Sequence, residues 1–217
     1  MKDILDYNER ITKIYFVRHG QTKANKYHLL FGQLDWDLTK EGVKQAKKAA
    51  MRLAKIRAGF KPALAERIDC IISSPLKRAN HTAKIIAKKL RIKKIVLNKN
   101  LMEKSEGTWE GKNFWQVREK DPKNYYHWLK NPFRNRPPKG ESVIDLNKRV
   151  KRFYKNIVGK YNGKNIIVVT HSGPIRLFLL NLLKAKIDKF WYLKTECGSI
   201  TEVHLSRKHS MIWSFNK

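Results

Sequence analysis

Short apolar runs of strand-like composition alternate with helical patterns along most of this 217-residue chain, and that alternation limits its fold more than any other feature. After Thr39, a suitable helix cap, apolar residues recur at helical spacing up to Leu53. The buried strands are predicted at 13–17, 67–72, 94–97 and 165–170. Strands that alternate with helices predict a three-layer α/β/α sandwich around a mostly parallel, mixed central sheet.

The remaining elements fit the same plan. Ser74 and Pro75 are expected to be the N-cap and first residue of a second helix. A long helix is predicted after Gly140, with one apolar face formed by Val143, Leu146, Val150, Phe153 and Ile157. A helix over 174–183 and two closing edge strands over 200–205 and 211–215 follow. We expect a single domain over 1–217, with 100–140 as a lid-like insertion.

Composition excludes several classes of protein. Apolar residues make up 41% of the chain and include six Trp, eight Tyr and nine Phe, which is too many for a disordered basic tail. Cys70 and Cys197 are far apart, so no disulfide framework is indicated, and a reducing compartment is favoured. Asp3 and Asp6 stand where a signal peptide would be apolar, and Arg176 is among the polar residues that interrupt the most apolar segment, 166–183. We expect a soluble cytoplasmic protein without a membrane partner.

The net charge is large but does not identify a partner. The chain has 48 Lys and Arg against 18 Asp and Glu, a difference of +30. Such a surface attracts polyanions over long distances. The basic residues are spread along the chain, whereas nucleic-acid readers usually cluster them on one face. A general lysine bias is therefore favoured, and a nucleic-acid partner is supported by net charge alone.

Polar clusters follow three of the predicted strands. Arg18 and His19 end the first strand, Arg78 lies just beyond the second, and His171 follows the strand over 165–170. In open α/β sheets, binding sites form at the carboxyl ends of strands. Cations together with free helix N-termini suit a dianionic phosphate. A lone His at a strand end is usually structural, but the coincidence of three clusters predicts a phosphate site. No acidic or Cys ligands lie at metal-binding spacing, so no metal is expected.

The segment from Arg18 to Asn25, RHGQTKAN, resembles the RHGxTxxN signature of the histidine phosphatase superfamily, the phosphoglycerate-mutase-like proteins. The resemblance extends over roughly residues 13–185. Further segments that resemble the family, in family order, are 37–46, 73–83, 101–111, 137–142 and 169–173.

The resemblance implies a role for each matching residue. His19 would be the nucleophile that becomes phosphohistidine. The expected phosphate ligands besides His19 are Arg18, Asn25, Arg78 and His171. Glu103 would be the proton donor to the leaving oxygen, with Glu106 as the reserve and Glu110 as support for the loop. Neither a metal nor another cofactor is implied. Phe31 departs from the pattern, because many relatives carry Gln or another polar residue before the glycine at Gly32.

The resemblance leaves alternatives open. The acidic loop over 103–111 is similar to the phosphatase branch, which includes α-ribazole phosphatases and broad-specificity phosphatases, so hydrolysis of a small phosphorylated metabolite is favoured over phosphoglycerate mutase activity. A basic polyanion-binding protein on the same scaffold is the alternative from another class. Lid aromatics such as Trp109, Phe114 and Trp128 either stack on a substrate or pack the insertion. The lid cations that either read a second anionic group or are solvated are Lys104, Lys112, Arg134 and Arg136. The substrate and the oligomeric state are not predicted.

Overall fold

A computed structural model describes residues 10–58, 67–206 and 209–217. The strands are β1 (Thr12–Arg18), β2 (Cys70–Ser73), β3 (Ile95–Leu97), β4 (Asn165–Thr170), β5 (Ile200–Leu205) and β6 (Ser210–Ser214). The helices are α1 (Lys23–Lys26), α2 (Lys40–Ala58), α3 (Lys77–Leu90), α4 (Phe114–Lys120), α5 (Pro122–Lys130), α6 (Val143–Lys160) and α7 (Ser172–Leu182). Short 3₁₀ turns lie at Lys99–Leu101, Gly107–Trp109 and Ile187–Tyr192.

The strands form one mixed sheet in the order β3-β2-β4-β1-β5-β6. The first four of these run parallel, whereas β5 is antiparallel to both of its neighbours, β1 and β6. Parallel strands need a crossover between them, and the intervening helices supply it. The predicted mostly parallel, mixed sheet is therefore confirmed.

Each face of the sheet carries its own hydrophobic core. Ile14 and Phe16 of β1 face α6 and α7, whereas Tyr15 and Val17 face α2 and α3. Successive side chains of a strand point to opposite faces, so a strand covered by helices on both sides is apolar throughout. The five apolar residues predicted for α6 are all buried in the first core. The molecule is a three-layer α/β/α sandwich, as predicted.

Sheet register brings three polar strand ends together. Arg18 of β1 is paired with Thr170 of β4, and Ser73 of β2 is paired with Val169 beside it. Backbone bonds extend this alignment past the strands, because the His19 amide donates to the Thr170 carbonyl at 3.0 Å. The residues that follow β1, β2 and β4 therefore meet at one edge of the sheet.

Some local predictions were wrong. Ser74 is not the N-cap of α3: Leu76 is, without a side-chain bond, and the Lys77 amide at the helix start donates to Asp35 Oδ1 at 2.8 Å. The closing strands do pair, but β5 lies between β1 and β6, so β6 is an edge strand and β5 is not. The predicted cap at Thr39 is confirmed, since its hydroxyl accepts from the Gly42 amide at 3.0 Å.

Two expectations concern membranes and targeting. Asp3 and Asp6, on which the argument against a signal peptide depends, lie outside the described residues. Within the ranges that the structure describes, no helix combines the length and apolar character needed to cross a bilayer.

Candidate active site

His19 lies directly after β1 and is 1% exposed. Its Nδ1 is 2.7 Å from the carbonyl oxygen of Gly20, which can only accept, so Nδ1 carries a proton and Nε2 keeps its lone pair. Burial, followed by the charges of Arg78 and Arg18, holds the pKa of His19 well below its ordinary value of 6.5. The ring is therefore a neutral imidazole with a defined tautomer and one free nitrogen.

His171 is the N-cap of α7 and packs beside His19, with ring centroids 5.0 Å apart. Arg78 Nε donates to His171 Nδ1 at 3.2 Å, and this bond places the His171 proton on Nε2, which lies 2.9 Å from Ser74 Oγ. Burial and the charge of Arg78 lower the pKa of His171 well below 6.5. Both histidines are thus neutral and oriented by hydrogen bonds.

Arg78 is completely buried on the first turn of α3. Besides its bond to His171, its Nη1 donates to the Leu34 carbonyl at 2.9 Å and its Nη2 to the Gly32 carbonyl at 2.6 Å. Burial lowers its pKa to about 10, so it remains a cation at neutral pH. Phe31 lies against its guanidinium, 4.7 Å from the ring centroid. The residue that departs from the family pattern thus supports Arg78 through a cation–π contact.

Arg18 and Asn25 line a cleft of about 810 Å³ next to these groups. Arg18 Nη1 donates to the Thr195 carbonyl at 2.5 Å, while its buried Nε has no hydrogen-bond partner. Asn25 Oδ1 accepts from the Thr22 amide and hydroxyl at 3.0 and 2.9 Å. The turn therefore occupies the acceptor of the Asn25 amide and orients its NH₂ group as a donor.

Glu103 follows the 3₁₀ turn after β3, and its carboxylate lies at the N-terminus of α7. Glu103 Oε1 accepts a hydrogen bond from the backbone amide of Lys104, and Oε2 accepts one from the Gly173 amide at 3.2 Å. A Cβ at Gly173 would lie 2.2 Å from Glu103 Oε1, so the carboxylate occupies space that only glycine leaves open. Because His171 caps the same helix, Glu103 is anchored to the element that holds the second imidazole.

Glu106 and Glu110, the other acids of the loop, are engaged elsewhere. Glu106 forms an ion pair with the buried Lys104 at 2.6 Å, and burial raises its pKa. Glu110 Oε1 accepts from the amides of Gln33 and Glu106 at 2.9 and 3.0 Å. The contacts of both residues stabilise the loop, as anticipated for Glu110.

Aromatic residues of the 100–140 segment contact one another. Trp109 and Phe114 pack against Trp128, each with ring centroids 5.8 Å apart, and only Phe114 of these lines the cleft. Three of the four cations considered in this segment have partners: Lys104 is paired with Glu106, Lys112 donates to the Thr108 carbonyl, and Arg136 contacts Asp145 at 2.6 Å.

Sequence reasoning missed three contributors to the site. Ser74 holds His171 rather than capping a helix, and Gly173 makes room for Glu103. Arg176, on the second turn of α7, lines the cleft together with Arg18. The signal for Arg176 was present, because it is a charged residue within an otherwise apolar helix.

In the described part of the chain, no group of three or more His, Cys, Asp or Glu residues lies close enough together to hold a metal ion. The positive charge of the site comes from arginines. A buried neutral imidazole that lies within the electrostatic reach of two guanidinium groups is suited to phosphoryl transfer.

Comparison with known proteins agrees with this geometry. The model of the histidine phosphatase superfamily (branch 1) matches residues 14–217. Phosphoserine phosphatase 1 of Hydrogenobacter thermophilus is 30% identical over 206 residues, which cover 95% of this chain and 92% of that protein. The metal-independent phosphoserine phosphatase of Arabidopsis thaliana is 34% identical over 207 residues, covering 95% and 82%. The crystal structure of the α-ribazole phosphatase from Shigella flexneri superposes with a TM-score of 0.84 at 24% identity, covering 94% and 96%.

These matches define the class of protein. The chain belongs to the histidine phosphatase superfamily, branch 1, and has the phosphoglycerate-mutase-like fold of that family. It is a phosphoric monoester hydrolase. The resemblance seen in the sequence is confirmed.

Proposed function

We propose that the chain hydrolyses a small phosphomonoester through a phosphohistidine on His19. The observation that carries the proposal is the His19 ring itself: it is neutral, its Nδ1 is bound to the Gly20 carbonyl, and the charges of Arg78 and Arg18 act on it. A neutral imidazole is a competent nucleophile near pH 7, and guanidinium groups stabilise the charge of the transferring oxygens.

In the first step, Nε2 of His19 attacks phosphorus while the bond from phosphorus to the leaving oxygen breaks. Arg18 and Arg78 bind the phosphoryl oxygens, assisted by Asn25 and the Nε2–H of His171. Glu103 in its acid form gives a proton to the leaving oxygen, and the alcohol departs. In the second step, water attacks phosphorus, the P–N bond breaks, and the carboxylate of Glu103 takes the proton of the water.

The relatives suggest a class of substrate. Two of them are named phosphoserine phosphatases and match nearly the whole of this chain. A phosphorylated amino acid or hydroxy acid is small enough for a cleft of about 810 Å³. We propose that the substrate belongs to this class.

Three further expectations stay proposals. The residues 1–217 are proposed as one histidine phosphatase domain, with 100–140 as a lid, because Phe114 of this segment lines the cleft. The cytoplasm is proposed as the compartment on the strength of two free cysteines, Cys70 and Cys197. Nucleic-acid binding is supported only by the net charge of +30, and a salt titration of DNA binding tests it.

A trapping experiment tests the phosphohistidine. The protein is mixed with ³²P-labelled substrate, quenched within milliseconds in alkali and digested for mass spectrometry. We expect an acid-labile, base-stable adduct on His19 and none in His19→Ala, with an unchanged circular dichroism spectrum as the control for folding. A variant that retains turnover, or an adduct on another residue, would contradict the proposal. Net transfer to a second substrate, rather than to water, would favour mutase activity.

A further inference from the structure

Arg176 lies on α7 and lines the cleft next to the proposed phosphate site. It lies on the second turn of α7, the helix that His171 caps and whose N-terminus holds Glu103. Its neighbours Ile175 and Leu177 are buried in the core, whereas Arg176 is half-buried and lines the cleft beside Arg18 and Asn25. The helix therefore presents a single guanidinium to the cleft that is also lined by Arg18, the residue before His19 in the chain.

The guanidinium of Arg176 has no polar partner in the described residues. No hydrogen bond or ion pair to them involves it, and its Nε is buried without an acceptor. Burial lowers its pKa below the ordinary value. It packs against a pair of neighbouring aromatic rings, 5.4 Å from the centroid of Phe190 and 5.9 Å from that of Trp191. A buried donor without an acceptor costs free energy, so an acceptor supplied by a ligand would be bound favourably.

Nearby acids do not neutralise Arg176. Glu103 is the first carboxylate to act on it electrostatically, but its two oxygens accept from the amides of Lys104 and Gly173. Glu196 also lines the cleft and is paired with Lys194 at 2.7 Å. Arg176 is thus a rigid, unpaired cation at the edge of a phosphate site.

We propose that Arg176 binds the carboxylate of the substrate and so determines specificity for phosphomonoesters of carboxylate-bearing alcohols. This rests on the proposed function, in which Arg18, Arg78 and His19 take the phosphoryl group. A planar guanidinium matches a planar carboxylate in shape and in charge, and its aromatic contacts fix the plane of the fork. A second phosphate group would instead carry about two negative charges, which the single charge of Arg176 would not balance.

Two substrates that differ only in the carboxylate test the proposal. The ratio of kcat/KM for O-phosphoserine to that for O-phosphoethanolamine is measured in the wild type, Arg176→Gln, Arg176→Lys and Arg152→Gln. We expect the wild type to prefer phosphoserine. The ratio should fall roughly ten- to hundredfold in Arg176→Gln, since a charged hydrogen-bonded pair is lost, and nearly as far in Arg176→Lys, which lacks the fork. Arg152→Gln is the control. It removes the same charge from an exposed position of α6 that does not line the cleft, so this variant should keep the wild-type ratio.

Two outcomes would overturn the proposal. One is a wild type without preference for phosphoserine. The other is an unchanged ratio in both Arg176 variants; if kcat/KM then falls equally on both substrates, Arg176 only packs α7. Arg176→Lys keeps the charge and most of the side chain, so it serves as the test if Arg176→Gln does not fold. The proposed nucleophile is tested separately, because His19→Ala should abolish turnover of both substrates alike.

Discussion

Two arginine environments adjoin Glu103 and differ in what their donors contact. Arg149 of α6 uses all three nitrogens: Nε and Nη2 bind the two oxygens of Glu141 at 2.8 and 2.7 Å, and Nη1 donates to backbone carbonyls of Asn100 and Met102. Nη2 also reaches the Glu103 carbonyl at 3.2 Å. In the cleft, Arg18 and Arg176 each keep a buried Nε without a partner.

The number of occupied donors distinguishes an arginine that stabilises the fold from one that can bind a ligand. A saturated guanidinium fixes the acidic loop in place and has nothing left to offer a ligand. A guanidinium with unused donors is less stable in the free protein and is completed by an anion. Arg149 thus holds the backbone of Glu103, whereas Arg18 and Arg176 keep donors that the described residues do not occupy.

The largest effect should come from breaking the saturated network. Arg149→Met removes the cation that pairs with the Glu141 carboxylate and leaves three carbonyls without the Arg149 donor, so we expect the free energy of unfolding to fall by about 3 kcal/mol or more. Arg176→Met removes no internal hydrogen bond and should cost less than about 1 kcal/mol. Urea denaturation followed by circular dichroism measures both values. Equal losses in the two variants would remove the distinction between the two environments.

A smaller effect is expected where the two environments meet. A methyl group at Gly173 would collide with Glu103 Oε1, so Gly173→Ala should displace the carboxylate and lower kcat/KM by roughly ten- to hundredfold. The loss should be greater for phosphoserine than for p-nitrophenyl phosphate, since the latter's leaving group needs no proton. Steady-state kinetics with both substrates measures this difference.

Gly159→Ala is the matched control for this change. Nothing lies within 4 Å of a Cβ at Gly159 of α6, so the substitution should leave kinetics unaltered and stabilise the helix by up to about 1 kcal/mol. Identical losses on the alkyl and aryl substrates in Gly173→Ala would argue against Glu103 as the proton donor.

The smallest effect is a difference in pH response. Burial and Arg78 keep His19 and His171 neutral in the folded state, while the unfolded chain binds protons below the ordinary pKa of 6.5. Their contribution to stability is therefore complete above pH 6.5 and declines below it, by about 1.4 kcal/mol per pH unit for each group. The ion pair of Arg149 with Glu141 loses its contribution to stability only at lower pH. Burial raises the pKa of Glu141, but the hydrogen bonds from Arg149 and Ser105 outweigh burial and lower the pKa below 4.5.

Denaturation at pH 7.5 and 5.5 checks this order. His171→Gln should lose about one histidine's share of the pH dependence, whereas His81→Gln, on the exposed face of α3, should match the wild type. An unaltered pH dependence in His171→Gln would show that this imidazole titrates normally.

Much of the fold was predictable from local pattern. The apolar stripe of α6 and the buried runs of β1 and β4 follow from periodicity, because a strand covered on both faces must be apolar throughout. The start of α3 was not, because Ser74 has the chemistry of an N-cap and its hydroxyl is instead bound to His171, 97 positions away. No local pattern contains that contact.

The site divides in the same way. The sequence placed Arg18, His19 and His171 at strand ends, and the structure brings them to one edge, since parallel register aligns the carboxyl ends of β1, β2 and β4. It could not separate Glu103 from Glu106, because both are acids of one loop. Their surroundings differ only in the folded chain, where Glu103 meets α7 and Glu106 meets Lys104.

By itself, the sequence determined the class of fold and the family and predicted which residues bind phosphate, because hydrophobic periodicity and residue chemistry are local properties. Tertiary structure alone decided which arginine donors are occupied and which remain free. Whether a donor is occupied depends on which carbonyls and carboxylates the packing brings within about 3 Å, and those come from distant parts of the chain.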